Sequence, residues 1–150
     1  MDSGFRVIRE TRLDPHFPLS RRELGEIGAS ILDALDLIGH SVTLKLVDDA
    51  EIARLNKGFL GCTGPTNILS FPADDAAEAP EEGSEDVYLG ELALSVDALS
   101  REAALYGQSP LGHMARLIAH GTLHLAGYDH GDEMYDLTDA AVDRVLLEFS

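Results

Sequence analysis

Apolar residues recur along this chain with two different periods, and each period indicates one kind of element. In some short stretches apolar and polar residues alternate, or β-branched residues cluster, as is typical of β-strands. Four such stretches are predicted to be strands, at residues 6–9, 41–47, 66–71 and 87–94. The last of them contains Gly90, which indicates a β-bulge or a close approach by another part of the chain.

In other stretches apolar residues recur every three to four positions, as they do in amphipathic helices. The first helix is predicted to begin after Ser20, which forms a capping-box pattern with Glu23, and to end at Gly39. A short second helix is predicted from Asp48 or Asp49 through Leu55. Three more follow in the C-terminal part, at about residues 96–106, 110–127 and from 132 onward.

Capping residues support the boundaries of the C-terminal helices. The helix over 96–106 is predicted to end at Gly107, and the next begins with Ser109 as N-cap and Pro110 in the first position. Between the elements, residues 58–65 are rich in glycine and residues 73–86 are acidic, and both are predicted to be loops. The order of elements predicts one domain over residues 1–150, a mixed α/β (α+β) fold with about four strands and five helices.

Composition limits the classes of function. No apolar run approaches the ~20 residues of a membrane span, and the N-terminus lacks the pattern of a signal peptide. The single cysteine, Cys62, excludes an internal disulfide and suits a reducing compartment, so we expect a cytoplasmic protein. The net charge of −16 argues against broad non-specific binding of nucleic acids, DNA included.

The charge is unevenly distributed along the chain. Five of the eleven basic residues lie in the first 22 positions, namely Arg6, Arg9, Arg12, Arg21 and Arg22. Acidic residues concentrate between positions 74 and 91. This pattern allows a local basic face on an acidic protein, or equally arginines paired with acidic side chains on a solvated surface.

Three histidines near the C-terminus are the strongest chemical signal. His120 and His124 are four residues apart and share one face of the predicted helix, so both can bind one metal ion. Gly127 can end that helix and turn the chain so that His130 joins them. Three imidazoles leave a fourth position open on a tetrahedral zinc ion, which is typical of catalytic zinc.

The spacing is that of the metzincin signature, but Gly121 stands where those peptidases carry their glutamate base. The catalytic candidates are therefore sought elsewhere. Asp129 either orients a ligand imidazole or is a solvated turn residue. Ser70 presents a polar group to the cleft if its strand edges the site, and Glu91 is a candidate base. Thr66 and Asn67 either line the same cleft or close a turn.

With these motifs in hand, the chain resembles the YbeY family of bacterial rRNA-maturation endoribonucleases. Residues 120–130, HGTLHLAGYDH, are close to the family pattern H-G-x-L-H-L-x-G-Y-D-H. Leu55-Asn56 and residues 65–72, PTNILSFP, are similar to a second family segment, and Gly90-Glu91-Leu92 resembles a third. The likeness spans about residues 42–135 in matching order.

The resemblance implies an α/β fold with one zinc ion bound by His120, His124 and His130. It implies cleavage of single-stranded RNA in 16S rRNA 3′-end processing, ribosome maturation and 70S ribosome quality control. It also implies rRNA and the small ribosomal subunit as partners, with contacts to ribosomal protein S11 and the GTPase Era.

One position departs from the family pattern. The family usually has an arginine where this chain has Leu60, and an arginine there would be a natural phosphate contact. Arg54 and Lys57 lie nearby in the sequence as substitutes. Leu60 and the acidic charge keep two alternatives open. One is a ribosome-assembly factor with a structural metal and little catalysis, and the other is a metal hydrolase with a peptide or small phosphoester substrate.

Overall fold

A four-stranded sheet forms the centre of the computed structural model, which describes residues 5–9, 20–61, 64, 66–73, 87–128 and 131–149. The strands are β1 (Phe5–Arg9), β2 (Ser41–Val47), β3 (Ile68–Pro72) and β4 (Tyr88–Ser95). Their order in the sheet is β1-β2-β4-β3. The pairs β1–β2 and β2–β4 are parallel, whereas β3 runs antiparallel to β4. The predicted mixed sheet of four strands is confirmed in this part of the chain.

The described residues form five helices, as predicted, which pack on the sheet or on one another. They are α1 (Arg21–Ala34), α2 (Asp49–Leu60), α3 (Val96–Tyr106), α4 (Pro110–Leu125) and α5 (Asp132–Phe149). The larger core lies between one sheet face and helices α1, α4 and α5, and it includes Leu44, Leu92, Ile118 and Val145. A smaller core on the opposite face joins α2 to the sheet through Val47, Ile52, Leu69 and Ala93. None of the described helices is long and apolar enough to cross a membrane.

Helix α1 begins as predicted but ends earlier. Ser20 accepts a hydrogen bond from the Glu23 amide and Glu23 accepts one from the Ser20 amide, which completes the capping box. The prediction that the helix continues to Gly39 is wrong, because Asp36 adopts a left-handed φ of 61°. The Leu37 amide then donates to the Leu32 carbonyl at 2.8 Å, as in a Schellman motif.

Helix α2 is longer than predicted. Asp48 caps its first turn by accepting a hydrogen bond from the Glu51 amide. The helix then continues past Leu55 and through Gly58, and it ends at Gly61, whose φ is 70°. Residues 58–60 are therefore helical, and the expectation of a loop from residue 58 is wrong for them.

The C-terminal helices begin where predicted, and α3 also ends there, whereas α4 ends at Leu125, two residues before the predicted end at Gly127. Ser95 and Gly107 cap the two ends of α3, and Ser109 and Pro110 begin α4. The expected close approach at Gly90 is also present, since a Cβ atom there would lie 2.3 Å from the carbonyl oxygen of Phe71. Residues 74–86 of the predicted acidic loop lie outside the described residues, as do Cys62 and His16.

Candidate functional site

His120 and His124 face each other on consecutive turns of α4. Their Nε2 atoms lie 3.1 Å apart, their ring centroids are separated by 4.6 Å, and the ring planes are nearly perpendicular at 86°. Two imidazoles bound to one tetrahedral zinc ion at about 2.0–2.1 Å place their nitrogens about 3.3 Å apart. The pair therefore fits two positions of one coordination sphere, although the same distance also suits a hydrogen bond between the rings.

The end of α4 turns the chain directly after this pair. Gly127 has a φ of 94°, and the Tyr128 amide donates to the Leu123 carbonyl at 3.0 Å, which closes the last helical turn. Asp129 and His130 follow this turn but lie outside the described residues. Within the part of the chain that the structure describes, no cluster of three metal-binding side chains forms. The structure thus places two of the three predicted ligands.

Gly121 lets α4 lie close against the sheet between the two histidines. A Cβ atom at this position would lie 2.8 Å from Leu92 Cδ2, and 3.3 Å from both Ile68 Cδ1 and Ser70 Oγ. A glutamate in this position would have to place its side chain in the packed interface. The absence of the metzincin base therefore follows from how α4 packs on the sheet.

Ser70 lies on β3 beneath the histidine-bearing segment of α4. Its hydroxyl donates to the Gly121 carbonyl at a long distance of 3.4 Å, and its side chain is half-buried. The structure therefore brings this predicted residue to the segment between the two histidines. The hydrogen bond between Ser70 and Gly121 links β3 to α4.

Glu91 lies on the other face of the sheet. Its neighbour Leu92 contacts Gly121, and successive residues of a strand point to opposite faces. The Glu91 carboxylate instead lies 3.4 Å from the Lys45 ammonium group, on the face that carries α2. The structure does not bring Glu91 to the histidines, and we give it no role as their base.

A hydrogen-bonded cluster fixes the start of β3 next to the site. Asn67 accepts a hydrogen bond from the Ile68 amide at 2.7 Å and donates to Glu102 of α3 at 3.2 Å. Glu102 also lies 2.8 Å from Nε2 of His113, a buried side chain of α4. The side chain of Asn67 thus links the start of β3 to α3. Sequence reasoning did not find its partner because α3 meets β3 only in the folded chain.

Two ion pairs with shifted pKa values lie on helices away from the histidines. A hydrogen bond from Arg101 holds the pKa of Asp49 below its usual value, and this pair connects α3 to α2. A hydrogen bond from Arg144 likewise lowers the pKa of Glu148 within α5, and Ser30 of α1 adds a second hydrogen bond. Both pairs stabilise the helical packing that surrounds the sheet.

Sequence reasoning also missed a groove on the sheet face that carries α2. Lys45, Glu91 and several aromatic side chains line it. The available signal was in β2, where Thr43 and Lys45 alternate with the buried residues of the strand. That alternation indicates that one face of β2 is not fully covered by a helix.

Comparison with known proteins agrees with the motifs and the fold. The profile of the family described as Endoribonuclease YbeY matches residues 19–144. The endoribonuclease YbeY of Oleidesulfovibrio alaskensis is 46% identical over 156 residues, covering 89% of this chain and 92% of the relative. That of Nitratidesulfovibrio vulgaris is also 46% identical, over 140 residues and 86% of each chain.

A solved structure shows the same fold. The solution structure of a Thermotoga maritima protein superposes with a TM-score of 0.66 at 25% sequence identity, and the match covers 97% of this chain and 91% of that chain. The profile match and the two relatives extend over most of the sequence, including His120 and His124. The chain belongs to the endoribonuclease YbeY family.

Proposed function

We propose that this protein is a zinc-dependent endoribonuclease that cleaves single-stranded RNA during maturation of the small ribosomal subunit. The observation that supports the proposal best is the 3.1 Å approach of the two Nε2 atoms of His120 and His124. Two half-buried imidazoles directed at one point form a donor set suited to zinc. Membership of the endoribonuclease family supplies the substrate class.

In this proposal His120, His124 and His130 hold one zinc ion. When bound, the ion would act as a Lewis acid that polarises a phosphoryl oxygen and an attacking water molecule. The chain contributes the geometry: Gly121 lets α4 approach the sheet, and Ser70 donates to the carbonyl between the two helical ligands. Asp129 is the carboxylate nearest in sequence, and we assign it the role of orienting the His130 imidazole.

The physiological part of the proposal rests on the family resemblance. The substrate is the 3′ end of 16S rRNA, and the same activity serves 70S ribosome quality control. The partners are rRNA on the small subunit, ribosomal protein S11 and the GTPase Era, which places the protein in the cytoplasm. Because the net charge is −16, we expect affinity for RNA to depend on these partners or on specific base contacts.

The test is cleavage of single-stranded rRNA fragments by the purified chain, with the zinc content measured on the same sample. His124→Ala should lose both the bound zinc and cleavage, by at least about 100-fold. His40→Ala is the matched control, since it removes an imidazole at the start of β2 and should retain both. Cleavage that persists in metal-free protein or in His124→Ala would contradict the proposal.

A second candidate function is favoured by Leu60 at the family's arginine position together with the acidic charge. In this case the protein is a ribosome-assembly factor whose metal is structural. Removing the metal would then unfold the protein, and neither the natural chain nor Leu60→Arg would cleave RNA. A gain of cleavage in Leu60→Arg would instead show that the missing arginine limits an existing nuclease site.

A further inference from the structure

The sheet face opposite the histidines carries an open groove where the smaller core ends. Its volume is about 580 Å³, within the range of pockets that hold small ligands. We call it the sheet groove. An ion pair between two strands, three aromatic rings and several small or apolar residues line it. The lining residues are Lys45, Leu55, Phe59, Phe71, Pro72, Ala73, Tyr88, Gly90 and Glu91.

The floor of the sheet groove carries an ammonium group beside a carboxylate. Lys45 Nζ lies 3.4 Å from Glu91 Oε1, and the two side chains retain 23% and 34% of their accessible surface. An ammonium group carries three donor hydrogens and a carboxylate has two acceptor oxygens, so each group can bond a ligand in addition to its partners in the protein. Side by side, they present hydrogen-bond donors next to two acceptors.

Aromatic rings stand beside this pair and remain exposed. Phe59 is 69% exposed although its ring meets Phe71 edge-on, with centroids 5.1 Å apart. Tyr88 is 47% exposed, and its hydroxyl donates to Thr43, which fixes the ring. Exposed rings at the rim of a groove provide surfaces on which an unpaired base can stack.

We propose that the sheet groove binds an unpaired guanine base of single-stranded RNA. The Watson–Crick edge of guanine presents one acceptor, O6, followed by two donors, N1–H and the N2 amino group. Lys45 can donate to O6 while the Glu91 carboxylate accepts from N1 and N2. Adenine, cytosine and uracil do not present this order of acceptor and donors, so the pair selects guanine.

The proposal rests on the proposed function, since it assigns a base preference to the RNA that the histidine site cleaves. The net charge of −16 supports base recognition rather than general phosphate binding. Arg6 lies on the same sheet face as Thr43, its register partner, and two strands separate β1 from β3. Its exposed side chain can contact a phosphate of the same RNA strand.

The first experiment is NMR titration of the full chain with each of the four nucleoside monophosphates. Guanosine monophosphate should shift the amides of the sheet groove and bind at least about tenfold more tightly than the others. Glu91→Gln should remove this preference, whereas Phe59→Ala should weaken every nucleotide about fivefold or more, because stacking tolerates all bases. Tyr106→Ala is the control, since it removes an exposed ring at the end of α3.

The second experiment separates an RNA base from a free nucleotide. Anisotropy is measured with labelled 2′-O-methyl RNA pentamers that differ only in a central guanine or adenine. A guanine preference that Glu91→Gln abolishes supports the proposal. Equal binding of the two pentamers overturns it, and if guanosine monophosphate still shifts the groove amides, the ligand is a free guanine nucleotide.

These outcomes are distinguishable from failure of the proposed function. Histidine-dependent RNA cleavage without guanine preference in either assay would overturn the guanine site alone. Guanine-selective binding by a chain that cleaves no RNA would overturn the nuclease proposal and leave the guanine site as a recognition element.

Discussion

Replacing Gly121 with alanine tests whether the close contact of α4 with the sheet shapes the histidine site. The added methyl group would lie 2.8 Å from Leu92 Cδ2 and 3.3 Å from Ser70 Oγ. Leu92 is fully buried, so its methyl group can move only by displacing other core side chains. The helix must therefore shift away from β3 and β4, and the backbone of the histidine segment moves with it.

Two opposing effects determine the magnitude. Alanine is favoured over glycine in a helix interior by about 1 kcal/mol, whereas overpacking a filled core typically costs about 1–3 kcal/mol. We expect the packing effect to dominate and the free energy of unfolding to fall by about 1 kcal/mol, which corresponds to roughly 2–4 °C in Tm for a domain of this size. The affinity for zinc should fall as well, because the two imidazoles no longer converge at the same distance.

Gly58 offers a matched control within helix α2. A Cβ atom there would meet nothing within 4 Å, so only the helix propensity changes. Gly58→Ala should therefore raise the free energy of unfolding by about 0.5–1 kcal/mol. Urea denaturation followed by circular dichroism measures both variants, and zinc titration follows. If Gly121→Ala stabilises the protein as much as Gly58→Ala does, the argument from close packing is refuted.

Three further predictions concern polar contacts. Asn56→Ala should destabilise the protein by about 1–2 kcal/mol in urea denaturation, because this buried amide donates to a backbone carbonyl of the loop after α2. Arg101→Gln should raise the pKa of Asp49 towards its ordinary value in an NMR titration, because the hydrogen bond from Arg101 is the main cause of the lowering. Since that pKa is lowered in the folded protein, the pair stabilises it at neutral pH, and this contribution is lost as the pH falls through the lowered pKa. Glu102→Ala should lower the free energy of unfolding by about 1–3 kcal/mol by leaving buried His113 without its partner, and Glu102→Gln should restore most of the loss.

Helix ends were predictable where the sequence offers only one residue that can cap the helix. Ser20, Ser109 and Gly107 marked their boundaries correctly because capping is a local interaction between residues three to five apart. The prediction failed where more than one residue can adopt the left-handed conformation. In α1, Asp36 does so before Gly39 is reached, and in α2 the chain passes helically through Gly58 to Gly61.

The approach of His120 to His124 was predictable, but the sheet face on which Ser70 and Glu91 lie was not. Spacing alone placed His120 and His124 together, because residues four apart share one helix face. Ser70 and Glu91 were both candidates for the same cleft, yet Ser70 pairs with Leu92 in the β3–β4 register. Registers between strands depend on long-range packing, so a sequence alone does not show that Ser70 and Glu91 point to opposite faces.

The same register joins the two proposed sites through edge strand β3. Ser70 points to the histidine-bearing helix and its neighbour Phe71 lines the sheet groove, so consecutive residues of one strand serve opposite faces. β3 is the last strand of the described sheet. We therefore expect an RNA strand bound at both sites to pass around this edge. A base held in the groove would then fix which phosphate reaches the histidines. Cleavage at a set distance from an unpaired guanine is the behaviour that this arrangement requires, and a flanking duplex that prevents the strand from bending around β3 should abolish it.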